Sequence, residues 1–235
     1  MGGLEISAVA DGVIVAELDR PPANLWTIEL CHELVALLDH PPGGAHVLRL
    51  RSGGEVFCLG RERAGSTPGD LQAEARVLVS VQRALRRTRM VTVAEVQGDA
   101  AGFGVGVVAA CDVAVATAGA RFSFPEVTIG LAPALVLAWL PRVVGERQAF
   151  WLTATGEALP ATRAMELGLL SSVVESPDDL RRDVDDRVAM LRAGDPRVHA
   201  EIRDMLRAFA PLGEDDALDA SVDRLVVGSL RRGER

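Results

Sequence analysis

β-rich apolar runs occupy Ile6 to Ala10 and Val13 to Leu18, and Asp11-Gly12 between them tolerates the positive φ angles of a tight turn. The chain is therefore predicted to open with a hairpin. Thr27 precedes Leu30, Leu34, Leu37 and Leu38, an apolar stripe at helical spacing that Pro41-Pro42-Gly43-Gly44 stops. Val47, Leu48 and Leu50 predict a short strand, Leu71 to Arg87 a helix starting at Asp70, and Val91 to Val96 a buried strand ending at Gly98. The order to this point is ββαβαβ.

Val105 to Ala110 is small and apolar enough for a short buried helix, Asp112 to Ala116 returns to strand character, and Phe122 to Phe124 makes one more short strand. Gly145 to Thr153 and Pro160 to Leu167 predict helices, the second with Pro at its first position and Gly168 just past its end. Leu169 to Val174 closes as a strand. From Ser176 the pattern changes. Ser176-Pro177-Asp178-Asp179 supplies an N-cap, an N1 proline and two acids for a helix that Gly194 ends. Two more helices follow, from Asp195-Pro196 to about Phe209 and from Asp215 to Leu230. No internal repeat and no low-complexity linker interrupts the series. The expected class is α/β, with a core over residues 1–175 and an α-helical C-terminal lobe over 176–235.

Composition removes several functions. The 235 residues carry a net charge of −8 and no long basic run, so attraction to a phosphate backbone is not expected and nucleic acid is excluded as a partner. All 25 basic residues are Arg. Without lysine there is no Schiff base, no Ser-Lys nucleophile pair and no P-loop lysine. Cys31, Cys58 and Cys111 form an odd, widely spaced set without a C-x-x-C pair or an export-type leader, which points to a reducing, cytoplasmic setting. His32, His40, His46 and His199 never fall at the i, i+4 spacing of a helical zinc site, so no metal is expected. The longest apolar stretch, Ile129 to Leu140, is too short for the roughly twenty residues that span a bilayer, and no membrane association is expected.

Candidate chemistry concentrates in two glycine-bearing loops. Gln97-Gly98-Asp99-Ala100-Ala101-Gly102-Phe103-Gly104-Val105-Gly106 lies between a buried strand and a helix, where unpaired N–H groups and the helix dipole can hold an anion or a developing oxyanion. Gly104-x-Gly106-x-x-Ala109, with Glu126 downstream, also fits a dinucleotide fingerprint. That match is read as accidental, because Gly104 does not follow its strand directly and Glu126 sits after Pro125 rather than at a strand end. Phe57-Cys58-Leu59-Gly60-Arg61-Glu62 forms the second loop. No G-x-S-x-G elbow is present to supply a hydrolase nucleophile.

These residues resemble the crotonase, or enoyl-CoA hydratase/isomerase, superfamily. The resemblance rests on Phe57-x-x-Gly60-x-Glu62, Gly98-x-x-x-Gly102-x-Gly104 and Cys111-Asp112. It continues through Phe122-Ser123-Phe124-Pro125-Glu126, Gly130-Leu131 with Pro133, Pro141-Arg142-Val143-Val144-Gly145 and Ala164 to Val174, and reaches back to Arg20-Pro21-Pro22-Ala23-Asn24. It covers about residues 5–175, and the helical tail fits only loosely. The resemblance implies a spiral of ββα units with a helical lobe, assembled as a homotrimer or a dimer of trimers. It further implies an acyl-CoA or acyl-carrier thioester as substrate, with no other cofactor, and a place in fatty acid metabolism.

The same resemblance implies that the N–H groups of Arg61 and Phe103 hold the thioester oxygen, that Glu126 is the acid/base, and that Leu25, Phe57, Gly60 and Gly102 contact substrate. The second glutamate of the hydratases falls at Gly106, which has no side chain to hold water or deliver a proton. One base suffices to move a double bond, so an isomerase is expected ahead of a hydratase. The alternatives are a hydratase with a non-standard second acid, for which Asp99 is the candidate, a thioester decarboxylase or hydrolase, and a non-catalytic acyl-CoA binder. Bulk at Ala134-Leu135-Val136, where relatives often carry glycines, should make the acyl site more apolar. His32 and His40 read as surface or packing residues, and Arg86, Arg87 and Arg89 as a solvated helix end that could meet CoA phosphates.

Overall fold

The computed structural model describes residues 3–233, with side chains described as far as Arg231. The chain forms two compact units, Met1–Ala193 and Gly194–Arg235. The first is built on a sheet of six strands, β1 (Leu4–Ile6), β2 (Val13–Leu18), β3 (Val47–Ser52), β4 (Val91–Val96), β6 (Val113–Thr117) and β9 (Ser172–Val174), adjacent in that order. β1 is antiparallel to β2, and every other neighbour pair is parallel. Asp11 and Gly12 both have positive φ, as the expected tight turn requires, although the first strand pairs over Leu4–Ile6 rather than running on to Ala10.

Both faces of the sheet are covered, which is why β4 reads as an unbroken buried run rather than an alternating one. Leu48, Leu50, Ala94, Val96, Ala114 and Ala116 join the large core with α1 (Ile28–Asp39), α2 (Pro68–Arg87) and α3 (Phe103–Ala110). Val47, Val93 and Val115 point the other way, onto Leu180, Val184 and Val188 of α8 (Pro177–Ala193). On that face Arg49 bonds Glu95 at 2.5 Å and Asp185 of α8 at 2.6 Å, tying the helix to two strands. α8 therefore belongs to the first compact unit, whereas the pattern along the chain grouped it with the C-terminal lobe from residue 176.

Thr67, not Asp70, begins α2. Its hydroxyl accepts from Asp70 N–H while the Asp70 carboxylate accepts from Thr67 N–H, a reciprocal capping box that places Asp70 one turn inside. Thr27 caps α1 as expected. A second sheet is made of β5 (Ala100–Ala101), β7 (Arg121–Ser123) and β8 (Leu159–Pro160). The remaining helices of this unit are α4 (Ala134–Leu137), α5 (Leu140–Val144), α6 (Glu146–Thr155) and α7 (Ala161–Glu166), with a 3₁₀ turn over Pro125–Ile129. Pro160 caps α7 rather than opening it. The second unit consists of α9 (Pro196–Phe209) and α10 (Glu214–Gly233), linked by an Arg231–Glu201 ion pair. No helix among the described residues is long and apolar enough to cross a membrane.

Candidate active site

β3 and β4 are parallel neighbours, so the loops that follow them leave the same edge of the sheet side by side. They are stitched together by backbone bonds. Asp99 C=O accepts from Phe57 N–H at 3.0 Å and Cys58 N–H at 3.1 Å, and Cys58 C=O accepts from Ala101 N–H at 2.8 Å. Gly98 is obligatory here, because a Cβ on it would fall 1.9 Å from Glu55 O. Gln97 adds a side-chain bond to Val56 C=O at 2.9 Å, and the buried Asn24 carboxamide donates to Gly53 C=O and Val56 C=O at 2.7 and 2.8 Å.

The first loop then pairs with Trp26: Gly60 C=O accepts from Trp26 N–H at 3.1 Å, and Glu62 N–H donates to Trp26 C=O at 2.8 Å. Alternation along an extended chain turns the intervening Arg61 N–H away from Trp26, and it has no hydrogen-bond partner among the described residues. Phe103 is the first residue of α3, so its N–H is one of the helix's orphan donors and is likewise unpartnered. The side chains at these positions are engaged elsewhere. Arg61 Nη1 bonds Glu74 Oε2 of α2 at 2.8 Å, and Glu74 also accepts from the N–H groups of Ala64 and Gly65. Those donors, that of Gly65 above all, hold the Glu74 carboxyl below its ordinary range. The Phe103 ring meets Trp26 edge to face, with centroids 6.4 Å apart.

Arg61, Phe103, Gly60, Gly102 and Glu126 all line one cavity of about 390 Å³. Glu126 sits in the 3₁₀ turn after Pro125, with Oε2 buried and without a hydrogen-bond partner. Its other oxygen lies 3.1 Å from the position a Cβ on Gly102 would take, which places the carboxylate next to the start of α3. Ile129, Leu131 and Ala134-Leu135-Val136 of α4 form an apolar wall, in keeping with the expected character of that segment.

Two expected substrate contacts lie elsewhere. Phe57 is 2% exposed in the large core and does not line the cavity, and Leu25 lines a separate groove with Arg20 to Ala23, Thr27, Leu30 and Glu62. Asp99 does not line the cavity either. Its Oδ1 accepts from Arg121 N–H at 2.9 Å, so it braces β7 against the loop. Gly104 and Gly106 lie inside α3 rather than in a turn before it, which removes the dinucleotide fingerprint. Cys31 and Cys58 are buried thiols pushed up to about 12 by loss of solvent, so neither is a nucleophile at neutral pH.

Several lining residues were not anticipated, among them Arg63, Ala75, Thr128 and Gln82. Gln82 of α2 reaches the cavity between Leu78 and Leu85, on a helix face that otherwise reads as core. A lone amide on an apolar stripe was the available signal.

The enoyl-CoA hydratase/isomerase family model matches residues 8–224. A trans-2-decenoyl-[acyl-carrier-protein] isomerase of Streptococcus mutans is 29% identical over 229 residues, covering 92% of this chain and 87% of that one. A "Probable enoyl-CoA hydratase" of Rhodobacter capsulatus is 32% identical over 225 residues, covering 90% and 85%. Among solved structures, an enoyl-CoA hydratase of Mycobacterium smegmatis superposes with a TM-score of 0.89 at 25% identity, over 96% of this chain and 90% of that one. The two stitched glycine loops, the carboxylate beside them and these matches make the chain a member of the enoyl-CoA hydratase/isomerase family.

Proposed function

We propose that the protein shifts a double bond in an enoyl thioester carried by coenzyme A or an acyl-carrier protein. The observation that carries this reading is the single unpartnered carboxylate of Glu126 beside the free amide of Phe103, with Gly106 offering no second acid. Glu126 takes a proton from C2 of a 3-enoyl thioester. The C–H electron pair moves into a dienolate whose oxygen charge falls on the Arg61 and Phe103 amides, and the same carboxyl returns its proton at C4. The reverse direction uses the same groups. A preorganised amide aimed at a developing oxyanion contributes about 3 to 4 kcal/mol.

Hydration asks for a group to activate water and a group to protonate the α-carbon. Asp99, the candidate second acid, is bonded to Arg121 N–H outside the cavity, and Ala134 to Val136 make the acyl wall apolar, both of which support isomerisation. A homotrimer belongs to the same reading. The exposed Phe150 and Trp151 on α6 are the kind of apolar surface that an assembly would cover. The test is Glu126→Gln assayed on matched 2-enoyl and 3-enoyl thioesters of CoA and of carrier protein. Double-bond migration falls at least 100-fold. Undiminished turnover in that variant, or a wild-type enzyme that adds water faster than it moves the double bond, overturns the proposal.

A further inference from the structure

Position 106 lacks a side chain, and the space is not empty. A Cβ there would lie 2.7 Å from Gln82 Nε2 and 3.9 Å from Trp139 Nε1. The Gln82 carboxamide thus occupies the volume that a larger residue on α3 would fill, and it lines the acyl cavity. Trp139 is 6% exposed, and its indole nitrogen is buried with no hydrogen-bond partner. An indole N–H can only donate, and a buried unpaired donor costs free energy. The Gln82 carboxamide carries both a donor and an acceptor beside that shared point, and a half-turn about its last side-chain bond, a broad two-fold torsion, exchanges the two and puts Oε1 next to position 106, where the Trp139 indole also approaches.

We propose that Gln82 is the specificity-determining residue of the acyl site. With its oxygen held by the Trp139 N–H, its NH₂ donates to an oxygen on the acyl chain, so the preferred substrates are thioesters of oxygenated rather than plain alkyl acids. Ile129, Leu131 and Leu135 give the same cavity an apolar lining, against which Gln82 supplies a neutral polar group. Glu126 carries negative charge into the same cavity and disfavours a second carboxylate, so the recognised oxygen is a neutral hydroxyl or oxo group. An amide donor facing an alkyl chain is left unpaired, which is what produces discrimination. Trp139 acts as a positioning residue.

This inference rests on the acyl-thioester reading of the cavity, and its test requires no turnover. Binding of saturated hexanoyl-CoA is compared by calorimetry with hexanoyl-CoA bearing a hydroxyl or oxo group at C3, C4 or C5. At least one oxygenated ligand binds about tenfold tighter than the plain chain, and Gln82→Leu reduces that ratio to near one. Trp139→Phe also reduces the ratio, whatever it does to absolute affinity. Equal binding of all ligands by the wild type, or a preference that survives Gln82→Leu, overturns the proposal. A preference lost in Gln82→Leu and intact in Trp139→Phe overturns the indole's part. Absence of binding to any thioester refutes the acyl-site reading itself, and Glu126→Gln turnover tests the proton shuttle separately.

Discussion

Gly104→Ala tests whether the two loops act as one device. Gly104 is the second residue of α3, and a Cβ on it would fall 2.4 Å from Cys58 O and 2.9 Å from Cys58 Cβ and Sγ. An ordinary carbon–oxygen contact is about 3.3 Å or more, so helix and loop must separate by about 0.9 Å. The neighbour cannot yield by a rotamer change, because Cys58 N–H and C=O are both tied to the second loop, at Asp99 O and Ala101 N. The displacement falls between the Arg61 and Phe103 amides.

Overpacking of this kind costs about 1 to 3 kcal/mol of stability, less than the roughly 5 to 15 kcal/mol typical of a domain, so the variant stays folded. A misplacement near 1 Å costs on the order of 100-fold in catalysis. The assay is kcat/KM on an accepted enoyl thioester beside urea unfolding monitored by circular dichroism, with Gly119→Ala as control, since nothing lies within 4 Å of a Cβ there. Cys58→Ala combined with Gly104→Ala restores little, because the closest collision is with the carbonyl oxygen. A Gly104→Ala enzyme within threefold of wild type, or full rescue by Cys58→Ala, refutes the claim that loop spacing sets the activity.

Gly106→Glu must displace the Gln82 amide, whereas Gly106→Glu with Gln82→Ala meets no such neighbour; water addition, followed by loss of enoyl absorbance, is expected to be faster in the double variant than in the single one. Glu95→Ala leaves the half-buried Arg49 with Asp185 alone and costs about 3 kcal/mol, read from urea midpoints at unchanged slope. The Cys31 and Cys58 thiols, at about 12 when folded against 9.0 ordinarily, keep protons that the unfolded chain releases, so stability falls as pH rises from about 9 toward 12, by about 1.4 kcal/mol per pH unit per thiol. The chain has no lysine and no tyrosine to titrate in that window, and Cys31→Ala therefore reduces the slope visibly; an unaltered slope contradicts the burial of these thiols.

Much of the fold is legible along the chain because covalent neighbours decide it. Asp11-Gly12 forces a turn, Thr27 and Pro41 bracket α1, and the uninterrupted apolar run Val91 to Val96 announces a strand covered on both faces. Elements made by distant partners are not. β5 is two residues whose strand character comes from distant partners, Phe122 and Ser123 on one side and Cys58 on the other, and the 3₁₀ turn that carries Glu126 is closed by Leu131 N–H returning to Glu126 C=O. α8 was misplaced for a related reason: its acids and arginines look like those of a solvated helix until Arg49, 136 residues away, supplies the partner for Asp185.

The site divides along the same line. Gly98 and Gly104 are legible because close approach of backbones leaves a residue type as its trace, Gly60 and Gly102 because positive φ does, and Glu126 because a carboxylate is chemically conspicuous. Phe57 is ambiguous along the chain because an aromatic beside a ligand loop has two roles available, packing and ligand contact, and its side chain is buried in the core. Gln82 left almost no trace, since its meaning depends on the missing side chain of Gly106 in another helix. That asymmetry has a chemical consequence. Backbone donors at Arg61 and Phe103 are indifferent to the residues that bear them, so under the proposed function polarisation of a thioester is expected to survive wide variation at both positions. In the reaction proposed above, the outcome for the substrate rests on positions 82, 106 and 126, borne by α2, α3 and the 3₁₀ turn, three elements that can vary while the two loops keep their stitching.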